Sequence, residues 1–208
     1  MVNDASMGRR ERKKTATRTA ILEAATALFL ERGFDAVTVR EIADKADVTP
    51  KTVFAHFPRK EALVFSTEGE QRDRLVAAVR GRAPGTTVSE ALKVHYLAEI
   101  ALLRTEPMNR IMALTEDSPS LVEYAERMWL RHENALVDVL TEEFGLDEPS
   151  MEIRFYARFA LQIPLMARQA DPEPAMETGF RLLDEGWARY DPTRRRRARA
   201  GRSTRPPE

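Results

Sequence analysis

The chain contains no cysteine, which removes disulfides, thiolate metal sites and cysteine nucleophiles together. Its three histidines, His56, His95 and His132, stand far apart, and no Glu-x-x-His pair repeats. No glycine-rich phosphate loop occurs among its nine glycines. The common signatures of metal, nucleotide and acid–base chemistry are therefore missing. No run approaches the roughly 18 consecutive apolar residues of a membrane span, and the basic cluster Arg9, Arg10, Arg12, Lys13 and Lys14 lacks the apolar stretch of a secretory signal behind it. The expectation is a cytoplasmic protein without catalytic residues, metal, cofactor or membrane partner.

Net charge is absent too, with 33 basic against 33 acidic residues. A neutral total would argue against a nucleic-acid partner, but the charge is unevenly distributed. Residues 1–60 carry a net +4, residues 61–191 a net −10 and residues 192–208 a net +6. A basic first segment on an acidic body suits a protein that meets phosphates with one end only. Hydrophobic residues make up 43% of the chain, enough for a buried core.

Apolar residues recur at three and four throughout, and no stretch alternates with period two, so the chain reads as all-α. Residues 1–14 read as a flexible basic arm and 192–208 as a disordered Arg-rich tail. Helices are expected over 15–32, 38–46, from 49 to about 57, from about 59 through Val79, and over 88–104, 107–114, 119–144, 151–169 and 174–190. These divide into a three-helix head at 15–58 and a larger helical bundle at 59–191.

The head carries the most specific pattern. Thr38 is an N-cap with Glu41 at the capping-box position, and Ile42 and Ala43 supply the buried face of a short helix. Asp47 and Val48 break it. Thr49 followed by Pro50 opens a second helix, in which Val53 and Phe57 share one face with Phe54 close beside them. Lys51, Thr52 and His56 project elsewhere, as small, polar or basic side chains must if a helix is to enter the major groove. This is a helix-turn-helix pattern, and alone it is weakly specific.

The frame around it narrows the reading. Phe29, Gly33 and Phe34, the run 38–46, the run 48–57, and Lys60, Glu61 and Leu63 together resemble the N-terminal domain of TetR-family transcriptional regulators. Asp47 stands where that family usually has glycine, which asks it to adopt a left-handed conformation. Phe54 stands where it usually has tyrosine, so a phosphate-bonding hydroxyl is absent. The resemblance implies double-stranded DNA as partner, with Thr38, Thr49, Pro50, Lys51, Thr52, Phe54 and His56 as contacts. Lys60 joins them, holding a phosphate at the start of the fourth helix. Arg40 is either a further contact or a solvated charge.

In the body, the last two helices are apolar over more than one stripe, which requires a second buried surface or a central place in the core. The resemblance implies the former, a homodimer paired through these helices with Phe180, Leu183 and Trp187 at the interface, acting on a palindromic operator. It also implies a small, largely apolar effector, for which Met108, Met112, Met128, Trp129, Phe155 and Phe159 are candidate walls, though each is equally ordinary core. The resulting function is a ligand-responsive transcriptional repressor. The competing reading is a helical-bundle enzyme or small-molecule carrier whose head binds DNA only nonspecifically.

Overall fold

The computed structural model describes residues 8–168 and 171–187, the side chain of Trp187 excepted. The described residues contain no strand. They form α1 (Arg9–Arg32), α2 (Val39–Lys45), α3 (Pro50–His56), a 3₁₀ turn (Lys60–Leu63), α4 (Glu68–Arg80), α5 (Val88–Leu103), α6 (Met108–Asp117), α7 (Pro119–Glu143), α8 (Met151–Ala167) and α9 (Pro172–Trp187). No helix among them is long and apolar enough to cross a membrane.

Two units emerge. The first comprises the described residues up to Glu68 together with Leu103–Glu126, and the second Gly69–Leu102 with the described residues from Arg127 onward. The division differs from the sequence-based one, which gave all of residues 59–191 to the body. The reason lies in burial. Ile111 of α6 and Leu121 of α7 belong to the same cluster as Ile21, Leu28 and Phe29 of α1, Ile42 of α2 and Val53 of α3. Ser118, between α6 and α7, donates to the Asp35 carboxylate at 3.0 Å. Phe65 and Tyr124 stack with their ring centroids 5.2 Å apart.

The expected fourth helix also changes. A single 3₁₀ turn forms at Lys60–Leu63, and α4 starts only at Glu68. Leu63 and Val64 go to the head's core, while Leu75 and Val79 go to the body's. A continuous helix carries one inward direction, so residues serving two cores are more easily supplied by a broken one. At the other end, α1 begins at Arg9, so residues 9–14 are helical and not a loose arm. The C-terminal tail lies outside the described residues.

The second unit packs Leu75 and Val79 of α4, Leu92, Tyr96 and Ile100 of α5, Leu136 and Leu140 of α7, Ile153, Tyr156 and Ala160 of α8, and Met176 and Phe180 of α9 around one core. Ion pairs between Arg74 and Glu99 at 2.8 Å and between Arg82 and Glu143 rim it.

Candidate nucleic-acid interface

The helix-turn-helix is built from two capped helices and the turn between them. At the start of α2 the Thr38 hydroxyl accepts from the Glu41 N–H at 3.2 Å, and the Glu41 carboxylate accepts from the Thr38 N–H at 2.8 Å, which closes the capping box. Arg32, from the last turn of α1, donates to the same carboxylate at 2.6 Å. The Thr38 N–H, the Thr38 hydroxyl and Arg32, in that order, hold the Glu41 pKa down at about 2.

The turn runs through Asp47 at φ 53, the only non-glycine residue with positive φ among those described. Asp pays less for this conformation than most side chains. The Val48 N–H returns to the Ala43 carbonyl at 3.0 Å. Thr49 then caps α3, accepting from the Thr52 N–H at 3.2 Å, with Pro50 in the first helical turn.

This geometry sorts the faces of α3. Val53 and Phe57 are 1% and 2% exposed and anchor the helix in the head. Thr49, Pro50, Lys51, Phe54 and Ala55 form the exposed face, with Thr52 and His56 half-buried at its edges. Phe54, expected close beside the buried pair, is instead 48% exposed, because it stands one position on from Val53 and is turned outward. The Thr52 hydroxyl sits 2.9 Å from that of Thr49, so the two act as a pair. Thr38 and Arg40 are exposed at the start of α2.

Lys60 departs from expectation. Its ammonium donates to the carbonyls of Phe34 and Val37 at 2.9 and 2.8 Å and lies 4.0 Å from the centroid of the Phe34 ring. Desolvation pulls its pKa below the ordinary value. Two of the ammonium's three donors are taken by carbonyls of the α1–α2 connection. A lysine after a proline at the end of a helix-turn-helix reads in sequence as a phosphate clamp, because nothing local reveals carbonyls more than twenty residues upstream. Arg18 is similarly engaged, donating to the Ser66 carbonyl at 2.9 Å and lying 4.3 Å from the Phe57 ring centroid.

The six candidate effector residues divide between the two units. Met108 and Met112 pack on the head's core, because α6 lies there. Met128 is buried in the second unit and Trp129 packs on its core. Phe155 and Phe159 are 54% and 55% exposed on α8, their rings stacked with centroids 6.0 Å apart.

Those two rings border an apolar groove of about 500 Å³ along α8 and α9, completed by Ile163, Leu182 and Leu183 with Gly179 and Gly186. A Cβ on Gly179 would stand 2.7 Å from the Ile163 Cγ2, so glycine permits the two helices to approach this closely. The interface candidates separate accordingly. Phe180 is 3% exposed and lies inside the core of the second unit, Leu183 borders the groove, and the Trp187 side chain lies outside the described residues. One turn of α9 separates core from surface, and hydrophobicity alone cannot tell which residue takes which. Beneath the groove Tyr156 meets the Ser89 hydroxyl at 2.6 Å, and Ser89 donates onward to Asp184, whose pKa is raised by burial.

Residues 21–67 match the family model described as bacterial regulatory proteins, tetR family. Over 164 residues the chain is 26% identical to the HTH-type transcriptional regulator TcmR of Streptomyces glaucescens, spanning 75% of this chain and 71% of that protein. Over 134 residues it is 34% identical to the HTH-type transcriptional repressor Rv3405c of Mycobacterium tuberculosis, spanning 61% and 69%. In fold it is similar to the crystal structure of a regulator from Streptomyces coelicolor A3, with a TM-score of 0.64 at 22% identity over 86% of this chain and 98% of that one.

Proposed function

The chain belongs to the tetR family of bacterial regulatory proteins and is a helix-turn-helix transcriptional regulator, and from that premise we propose that it is a cytoplasmic, effector-released repressor acting as a homodimer on a palindromic operator. The observation that carries the DNA reading is the exposed face of α3, capped at Thr49 and anchored by Val53 and Phe57. Thr49, Pro50, Lys51 and Phe54 meet the major groove, Thr52 and His56 border it, and Thr38 and Arg40 take backbone phosphates at the start of α2.

Two copies pair through the outer face of α8 and α9, where Phe155, Phe159 and Leu182 remain exposed on either side of the groove. Pairing sets the two copies of α3 about 34 to 36 Å apart, one turn of DNA. A small, largely apolar effector binds the second unit and selects a conformation with a different spacing. Because both ligands draw on one equilibrium, DNA weakens effector binding by the factor with which effector weakens DNA binding.

The test is selection of bound duplexes from a random DNA pool by the purified protein. An enriched inverted repeat with half-sites about one helical turn apart is expected. Enrichment of nothing, or of an unrepeated site, would overturn the dimeric operator reading.

A further inference from the structure

The first two turns of α1 are exposed throughout. Arg9, Arg10, Arg12, Lys13 and Lys14 are all helical and all exposed. Gly8, before them, provides no side-chain cap. Cations crowded at a helix N-terminus oppose the helix dipole, which favours anions there. Glu11 offsets part of this, pairing with Lys14 at 3.7 Å. A polyanion alongside would turn this unfavourable arrangement into a favourable one.

The register shows where such a partner lies. Ile21, Ala25 and Leu28 turn α1 toward the head's core. Counting toward the N-terminus in steps of three and four, the same face passes through Arg18 to Lys14 and Arg10. Arg18 still reaches the head, bonding Ser66 and covering the ring of Phe57, the residue that closes α3. Lys14 and Arg10 lie about 6 and 12 Å farther along the axis, where the helix overhangs. The overhanging face of α1 is therefore the one that meets the C-terminal end of α3 at Phe57. Arg9 and Arg12 point off this direction, Arg12 to the opposite side of the helix.

We propose that the overhang of α1 is a backbone clamp, in which Arg10 and Lys14 bind phosphates of the duplex flanking the site read by α3. The proposal rests on the DNA reading above and adds contacts that carry no base information. Each phosphate neutralised contributes about 0.9 to the slope of log affinity against log salt.

The test uses the full chain and two charge-matched variants, Arg10→Gln/Lys14→Gln and Arg9→Gln/Arg12→Gln, with helicity checked by circular dichroism. Affinity is measured against salt on a long random-sequence duplex, on the selected operator with long flanks, and on the operator trimmed to its inverted repeat. The first variant is expected to lose nearly two units of slope per bound chain on both long duplexes, by the same factor in affinity, and to match wild type on the trimmed one. The second variant is expected to lose clearly less. Equal losses in both variants would reduce the effect to net charge and overturn the clamp, as would an unchanged slope or a loss confined to operator sequence. If no operator emerges, base reading fails while the random duplex still decides the clamp.

Discussion

Lys60 and Glu41 illustrate how single side chains set the head's shape before any DNA is present. With two carbonyls and a ring around its ammonium, Lys60 is a structural cation. Lys60→Ala is expected to lower stability by about 1 to 3 kcal/mol, the loss typical of hydrogen bonds to a charged group, while leaving the salt slope of DNA binding as in wild type. Urea unfolding and a salt titration check the two halves, and a slope reduced by one unit would return Lys60 to the phosphates. Glu41 has its folded pKa depressed to about 2. Its contribution is therefore complete above the ordinary carboxylate range, about 4.3, and is lost as pH falls through about 2. The stability difference between wild type and Glu41→Gln should be constant above about pH 5 and shrink toward pH 2. A difference that held steady throughout would show that the carboxylate charge is immaterial to the cap. Glu41 was legible in sequence because its capping partner Thr38 lies three residues away, whereas the partners of Lys60 are brought near only by the fold.

At the level of elements, α2 and α3 were readable almost to the residue because caps, proline and the Asp47 turn are local signals. The start of α1 and the break before α4 were not. A basic run has the composition of an arm whether or not it is helical, and the periodicity of 63–79 continues across a turn that tertiary packing imposes. The faces of α8 and α9 were equally hidden, since an inner and an outer apolar stripe look alike in sequence. The structure separates them, and the separation predicts two different failures. Phe155→Glu with Phe159→Glu should give a helical monomer that binds the operator weakly, as seen by sedimentation and circular dichroism. Phe180→Glu should instead fail to fold, because it buries a charge in the core. A dimeric double variant at Phe155 and Phe159 would remove this face from the interface.

At the scale of the whole molecule, the chain passes between its two units three times, after Glu68, Leu102 and Glu126. The head is consequently not a continuous stretch of sequence. Ile111 and Leu121 are 6% and 0% exposed within its core. Ile111→Ala should cost about 2 to 5 kcal/mol as a large-to-small core change. A fragment ending at residue 68 should be far less helical and less resistant to protease than the same residues in the full chain. A fragment that folded cooperatively alone would show that α6 and the start of α7 add little. If they are required, this DNA-reading unit could not be inherited by itself through a single genetic crossover, because a cut anywhere between Ile21 and Leu121 would leave part of its interior in the other parent and a later cut would carry Gly69–Leu102 along with it. New operator preferences would then have to arise by point substitution on the exposed face of α3, under an interior that must be conserved on both sides of the intervening segment.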